Sequence, residues 1–248
     1  MKILLVGETW IVHSIHMKGF DQFHQTSFGE GASFFKNAMS KKNVEVTHIT
    51  NHNAFNAFPY TLEEMNKFDC IIFSDIGSNT ILLPDETFVQ GKIMPNRLNL
   101  VKEYVAAGGA FLMIGGYMAF SGIDGRSRYE TTAIGDILPV ECLGKDDRAE
   151  RPEGVIPKIV NPNHKIMEGI TTEWSHFLGY NKTILREGSD LIATIGKDND
   201  PFIAVREFGK GKTAVFTSDF APHWGPKKFI ESEYYGEFFF NLLSYIIK

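Results

Sequence analysis

The stretch AFLMIGGYMAFSG, residues 110–122, decides how the fold of this chain is read. Its apolar run ends at a pair of glycines, Gly115 and Gly116, and a compact segment follows at once. In many hydrolytic α/β enzymes a strand ends this way so that a nucleophile stands on a sharp turn. Here Tyr117 occupies the turn, with no serine or cysteine beside it. The stretch therefore predicts a buried strand and a functional turn whose chemistry is unusual.

The chain before this turn alternates strand patterns with helix patterns. Continuous apolar runs, typical of strands buried on both faces, occupy residues 2–7, 68–75 and 110–116, and a β-branched run occupies residues 44–49. Helical spacing covers residues 30–42 and 97–109. Repeated β-α-β units imply right-handed crossovers, so we predict a largely parallel sheet with helices on both sides.

The second half of the chain has a different character. Residues 145–154, KDDRAERPEG, are predicted to form a solvated loop. Short strand patterns after residue 180 are expected to run antiparallel and to extend the same sheet. Residues 209–213, GKGKT, form a predicted hairpin turn rather than a phosphate loop, because Arg206 stands where that motif needs a glycine.

The closing segment, residues 225–248, is predicted to be a helix that begins near Pro226. Its expected apolar face comprises Phe229, Ile230, Phe238, Leu242 and Ile246. No internal repeat or linker interrupts the sequence, so we predict one domain over residues 1–248.

Composition narrows the classes of function. The 248 residues carry a formal net charge of -5, and no basic stripe favours a nucleic-acid partner. No window of membrane-spanning length is free of charge, which argues against a membrane partner. Two cysteines are too few for a disulfide framework, and Cys70 lies in an apolar run where it packs as a small hydrophobe. We expect a soluble cytoplasmic protein, and no cofactor is predicted.

Four polar or aromatic segments follow predicted strands. They are residues 7–21, 74–79, 115–122 and 218–225. Open α/β sheets bind ligands at the carboxyl ends of their strands, so we expect these segments to converge on one rim.

The predicted catalytic residues are Tyr117, His223 and Asp219. A phenol has an ordinary pKa near 10 and is a poor nucleophile at neutral pH. Tyr117 therefore either donates a hydrogen bond, stacks on a ligand, or packs under the following helix. Histidine titrates near neutrality, so His223 is a candidate general acid or base that Asp219 orients. The alternative is that His223 only packs in an aromatic loop.

The segment after the first strand offers charged and metal-binding side chains. His13 and His16, three residues apart, would share a helical face and bind a metal with Glu8 or Asp21. No cysteine or tight acidic motif supports that idea, so no metal site is predicted. Lys18 would bind an anion and Asp21 a hydroxyl or ammonium group, unless the segment is a solvated loop.

The remaining candidates lie at other strand ends. Gly77 would let backbone N–H groups face a ligand, as in an oxyanion hole, and Asp75 either binds the ligand or caps a helix. The two tryptophans near these segments either line a cleft or seal the sheet edge. The complete predicted ligand-binding set is Glu8, Trp10, His16, Lys18, Asp21, Asp75, Gly77, Gly116 and Trp224.

Nearly the whole chain resembles the class I glutamine amidotransferase-like superfamily, and within it a family of cytoplasmic glutamine amidotransferases of unknown activity. The resemblance is carried by GETWIVHSIHMKGFDQF, FSDIGSNT, PNRLNLVKEYVAAGGAFLMIGGYMAFSGIDG and AVFTSDFAPHW. It implies a flavodoxin-like three-layer sandwich. In amidotransferases of this superfamily, a Cys-His-Glu triad hydrolyses glutamine to ammonia.

The resemblance places Tyr117 at the position of the triad cysteine. The triad histidine corresponds to His223, but Gly225 stands where the glutamate is expected. Gly77 matches the oxyanion-hole glycine. Two triad positions therefore depart from the pattern, and we expect no ordinary glutaminase activity.

Three hypotheses follow. The first is a rim site for a small polar, carbohydrate-related metabolite, which is bound or acted on by non-covalent acid–base chemistry. The second is an interaction or homo-oligomerisation module, because the closing helix holds more aromatic residues than one buried face uses. The third is a metal-dependent hydrolase that uses His13 and His16.

Overall fold

A computed structural model describes residues 1–247 of the chain. Its strands are β1 (Lys2–Gly7), β2 (Thr9–Lys18), β3 (Asp21–Glu30), β4 (Glu45–Ile49), β5 (Cys70–Ser74), β6 (Ala110–Ile114), β7 (Val140–Cys142), β8 (Arg148–Val155), β9 (Lys158–Ile159), β10 (Phe177–Asn181), β11 (Thr183–Leu185), β12 (Asp190–Ile195), β13 (Asp200–Phe208) and β14 (Gly211–Phe216). Its α-helices are α1 (Ser33–Lys41), α2 (Asn51–Ala57), α3 (Leu62–Met65), α4 (Ser78–Leu82), α5 (Asp85–Phe88), α6 (Arg97–Ala107), α7 (Ala133–Ile137), α8 (Lys227–Ile230) and α9 (Glu233–Ile246). Short 3-10 turns cover Ile123–Gly125, Tyr129–Thr131 and Lys165–Met167.

The main sheet has eight strands in the order β4-β1-β5-β6-β14-β13-β12-β9. The first five run parallel, and the last three continue the sheet in antiparallel pairs. This arrangement confirms the predicted α/β fold with a mostly parallel sheet that antiparallel strands extend. Tertiary pairing places β11 outside that sheet, where it pairs only with β7.

The sheet is buried on both faces, as the continuous apolar runs predicted. Along β1, Ile3 and Leu5 enter the core beneath α1, α8 and α9, whereas Leu4 and Val6 enter the core beneath α2–α4, α6 and α7. Successive strand residues point to opposite faces, so a strand covered on both sides needs no polar alternation. These two cores fix the strand ends that carry the candidate site.

Residues 9–30 differ from the expectation of a loop. They form a β-hairpin of ten residue pairs, β2 and β3, closed by a turn at Gly19 and Phe20. We call this hairpin the arm. The two β-rich runs on either side of Gly19 fit a hairpin with a two-residue turn.

The charged segment 145–154 was also wrongly predicted as a loop. Most of it belongs to β8, which pairs antiparallel with β10. Tertiary pairing stabilises this strand, since its sequence shows little alternation of apolar and polar residues.

The closing segment forms two helices, α8 and α9, interrupted at Glu231 and Ser232. All five residues of its predicted apolar face are buried. Tyr235 and Phe239 are buried as well, whereas Tyr234 and Phe240 are half-buried. Lys248, the last residue of the predicted helix, lies outside the described residues. Within residues 1–247, no helix combines the length and apolarity needed to cross a bilayer.

Candidate functional site

The carboxyl ends of β1, β5, β6 and β14 lie side by side, because these strands are consecutive in the sheet. The residues after them carry the polar side chains of the candidate site. Those residues are Glu8, Asp75, Tyr117 and Asp219, with His223 in the segment that follows Asp219. The structure therefore brings one residue from each of four strand ends to the same rim.

Two of the strand ends hold their acidic residue in a left-handed backbone conformation. Glu8 has φ 55° and Asp75 has φ 46°, in a backbone region that residues other than glycine seldom adopt. The Ser74 hydroxyl donates to Glu8 Oε2 at 2.6 Å, and the Met118 N–H donates to Asp75 Oδ1 at 2.7 Å. Strain of this kind persists where surrounding contacts over-determine the backbone, and it concentrates at functional sites.

The carboxyl groups of Glu8, Asp75 and Asp219 form one electrostatic cluster. Burial raises the pKa of each above its ordinary value. The charges of Asp219 and Asp75 raise the pKa of Glu8 further, and the charge of Asp75 does the same for Asp219. Like charges this close in a poorly solvated site resist ionising together. The cluster therefore keeps a proton at a higher pH than isolated carboxyl groups do.

His223 lies over the cluster at the solvent boundary. Its Nδ1 is 3.5 Å from Asp219 Oδ2, and its side chain is 40% exposed. Burial of the rest of the ring lowers the pKa of His223, while the charges of Glu150, Asp75 and Glu8 oppose that shift. A neutral imidazole beside proton-holding carboxyl groups is suited to transferring a proton.

Tyr117 packs against His223 through its aromatic ring rather than through its hydroxyl group. The Tyr117 and His223 rings meet edge-to-face with centroids 4.5 Å apart. Burial raises the pKa of Tyr117, the neighbouring Glu150 carboxylate raises it further, and Arg148 opposes the shift. The Arg148 guanidinium lies over the ring, 4.6 Å from its centroid. The phenol of Tyr117 is therefore kept neutral, and β8 contacts its ring through Arg148.

The two thiols of the described residues lie on strands β5 and β7. Cys70 is the first residue of β5, roughly 16 Å along the strand from Asp75, and its thiol donates to the Ile71 carbonyl. Cys142 lies on β7 opposite Thr183. Burial raises the pKa of both thiols, so neither is a ready thiolate.

Arg148 and Glu150 are site residues that the sequence analysis missed. They alternate along β8 and so share one of its faces, where Glu150 also accepts a 3.0 Å hydrogen bond from the Trp224 indole. The sequence signal for these two residues was their i, i+2 spacing, which is typical of one face of a strand. The segment that contains them was predicted to be a loop, so this spacing was not used.

A second missed group holds the turn after β6. The Asn181 amide accepts from the Gly116 N–H at 3.0 Å, donates to the Gly116 carbonyl at 3.1 Å and donates to Asp147 at 2.8 Å. Asp147 also accepts from the N–H groups of Ser121 and Gly122. Burial raises the pKa of Asp147 to about 6. This buried network fixes the position of Tyr117.

The structure brings three more predicted residues to the rim as supporting groups. Gly116, with φ 152°, lies so near Asp75 that a Cβ would come within 2.9 Å of Oδ1. Gly77 precedes α4 and lies against the Met118 side chain. Trp224 is buried and stacks on His223, so its role here is packing rather than lining an open cleft.

The predicted residues on the arm are not brought to the rim. Trp10, His16, Lys18 and Asp21 are exposed along the hairpin, and His16 stacks on Phe23. Residues three apart on a strand point to opposite faces, so His13 and His16 do not converge as they would on a helix. Across residues 1–247, no three histidine, cysteine, aspartate or glutamate side chains are grouped to hold a metal ion.

Solved structures similar to this chain were found. Two cytoplasmic proteins from Salmonella typhimurium share 42% and 41% sequence identity with it, each with a TM-score of 0.95. The first match covers 99% of both chains and the second covers 100% of both. A ThuA-like protein from Bacteroides uniformis has 10% identity and a TM-score of 0.57 over 99% of this chain and 90% of its own, a likeness of fold alone.

No curated protein matched the chain. A family model described as "Putative glutamine amidotransferase" matches residues 2–248, in agreement with the resemblance found in the sequence. The chain therefore belongs to this glutamine amidotransferase-like family.

Proposed function

We propose that this chain is a glutamine amidotransferase-like protein without glutaminase activity. The observation that carries the proposal is the environment of Tyr117. Burial and the Glu150 carboxylate raise the pKa of its phenol, the Arg148 guanidinium lies over its ring, and its ring meets that of His223 edge-to-face. A thiolate attacks an amide because it combines a low pKa with high nucleophilicity, and a neutral phenol has neither property.

A glutamine-derived electrophile tests this part of the proposal. We expect intact-mass spectrometry to find no adduct after incubation with 6-diazo-5-oxo-L-norleucine, because the raised pKa of Cys70 and of Cys142 keeps both thiols protonated. A stoichiometric adduct that excess L-glutamine prevents would contradict the proposal, and peptide mapping would then identify the nucleophile.

The same rim is proposed to bind a small polar metabolite. The carboxyl groups of Glu8, Asp75 and Asp219 accept hydrogen bonds from hydroxyl or amino groups, and His223 is placed at the solvent side of the cluster. These acceptors favour a polyhydroxylated or amino-substituted, carbohydrate-related ligand. Binding alone and non-covalent proton transfer by His223 both fit this arrangement.

Thermal unfolding in the presence of glucose, glucosamine and the common amino acids tests the ligand site. A ligand that binds the folded state raises its stability. We expect at least one probe to raise the Tm of the wild type and of a control variant, His176→Ala, at an exposed histidine outside the rim. The same probe should have no effect on His223→Ala. A shift that persists in His223→Ala would exclude that residue from the site, and no shift with any probe would contradict the proposed ligand class.

The other predicted functions have less support. The metal-dependent hydrolase relied on His13 and His16, which lie on opposite faces of β2. Self-association through α9 relied on surplus aromatic surface, but Tyr235, Phe238 and Phe239 are buried, and Tyr234 and Phe240 are half-buried. A single domain over residues 1–248 stays a prediction. A cytoplasmic location is also proposed, since two relatives are described as cytoplasmic proteins.

A further inference from the structure

The arm carries an unusual number of exposed apolar side chains. Before residue 30, the large exposed hydrophobic residues lie on its two strands, except for Phe20, which is fully exposed at its tip. The complete set is Trp10, Ile11, Val12, Ile15, Met17, Phe20, Phe23 and Phe28. A contiguous apolar surface of this kind marks an interaction site.

Both faces of the arm are exposed. The register places Ile11 opposite Phe28 on one face, together with Ile15 and Met17. Trp10 and Val12 lie on the other face, where His16 stands opposite Phe23. The body of the protein therefore covers neither face.

Within residues 1–247, the hydrogen bonds, ion pairs and ring contacts between the arm and the body lie near the base of the arm. Thr9 exchanges hydrogen bonds with Asn51 of α2, and the Phe28 ring meets His52 edge-on with centroids 5.4 Å apart. Ten residues of extended strand reach about 30 Å, so most of the hairpin extends beyond these contacts. An isolated two-stranded hairpin is at best marginally stable in water, so an arm of this length needs a surface to pack on.

We propose that the arm packs against a second copy of this chain in a two-fold symmetric dimer. Its eight large apolar residues are each between 41% and 109% exposed. Aromatic side chains bury about 150–250 Å² each, so reciprocal burial of these residues by two copies is on the order of the roughly 800 Å² per partner that a stable interface needs. We propose an isologous interface, in which both copies use the same surface, because two-fold symmetric dimers are the commonest homo-oligomers.

The charge of the arm favours a protein partner of this kind. Its only formally charged residues are Lys18, Asp21 and Glu30, which leave it slightly acidic. Anionic membranes and nucleic acids are bound by clusters of lysine and arginine, which the arm does not have.

The body offers a matching surface beside the base of the arm. Leu83, Phe88, Val89 and Ile93, within and around α5, are exposed apolar residues. Helix α2 connects this segment to the arm, because it contacts the arm through His52 and hydrogen-bonds Asp85 through Asn56 at 2.9 Å. In a two-fold dimer, the arm of each copy would pack on this surface and on the arm of the other copy.

Sedimentation equilibrium of the full chain tests the proposal. We expect the wild type at micromolar concentration to have twice the 27.9 kDa mass of one chain. The double variant Ile15→Lys, Met17→Lys should raise the dimer Kd by about 100-fold, because two charges then enter an apolar interface. The control Ile156→Lys replaces an equally exposed residue outside the arm and should leave the dimer intact.

Hydrogen exchange provides a second measurement that does not depend on a variant. Amides of residues 9–30 should exchange slowly in the dimer and become fast on dilution, while amides of β5 and β6 stay protected. A wild-type chain that is monomeric at all concentrations would overturn the proposal, as would a dimer that the arm variant leaves unchanged. A monomer that co-sediments with phosphatidylcholine vesicles would assign the arm to a lipid surface and would also overturn it.

Discussion

At the scale of single residues, the site is distinguished by three carboxyl groups whose pKa is raised by burial. Glu8 and Asp219 are buried carboxyl groups, and the half-buried Asp75 completes their cluster. His223 is the member most open to solvent. These raised pKa values are the basis of the proposed acid–base site, and the titration of each group can be measured.

The first prediction concerns the titration of His223. Burial lowers its pKa, so we expect its ring C–H signal in NMR to titrate below the ordinary value of 6.5. Glu150→Gln should lower the midpoint further, because the Glu150 carboxylate favours the charged imidazole. Loss of the signal in His223→Gln assigns it. A midpoint at or above 6.5 would mean that the carboxyl charges outweigh burial.

The second prediction concerns the effect of the Asp219 charge on the free energy of unfolding. The pKa of Asp219 is raised in the folded state, so its contribution to stability is full below its unfolded value near 3.8 and is lost as pH rises through the folded pKa. Asp219→Asn keeps an acceptor for the Ala221 N–H and removes the charge. We expect it to raise the free energy of unfolding by about 0.5–2 kcal/mol at neutral pH.

Denaturant unfolding from about pH 4 to about pH 8 checks this result. The advantage of the variant over the wild type should grow as pH rises. An advantage that is constant or that shrinks across this range would show that Asp219 is not held protonated by its surroundings.

At the scale of secondary-structure elements, the turn after β6 depends on a strand that is distant in sequence. Asn181 at the end of β10 hydrogen-bonds both backbone groups of Gly116 and joins them to Asp147. Tyr117 therefore owes its position to β8 and β10 as well as to β6. A buried polar network of this kind is stable only when every member has its partners.

The third prediction follows from this dependence. Asn181→Ala leaves the buried Gly116 N–H and carbonyl without their side-chain partner and removes one of the donors to Asp147, and each buried group left unpaired costs about 1–3 kcal/mol. We expect a marked loss of stability in thermal unfolding. Asn99→Ala, at an exposed position on α6, is the control and should cost little. Equal effects of the two substitutions would argue against the network as the support of the turn.

At the scale of the whole molecule, the sequence predicted the strands and strand ends that local residue patterns determine. Strands covered on both faces are read directly from continuous apolar runs such as residues 2–7 and 70–74, and their carboxyl ends located Glu8, Asp75 and His223. The role of Arg148 and Glu150 was not predictable in the same way, because β8 exists through its pairing with β10. The arm was missed because both of its faces mix polar and apolar residues, so no single buried side marks it as a strand.

The central claim is that no covalent nucleophile operates at the rim of the sheet, and ammonia release from L-glutamine tests it most directly. We expect the purified full-length protein to release ammonia at the rate of an enzyme-free blank. Tyr117→Phe should give the same rate, since the phenol is not the attacking group. Turnover above the blank that Tyr117→Phe abolishes would contradict the account.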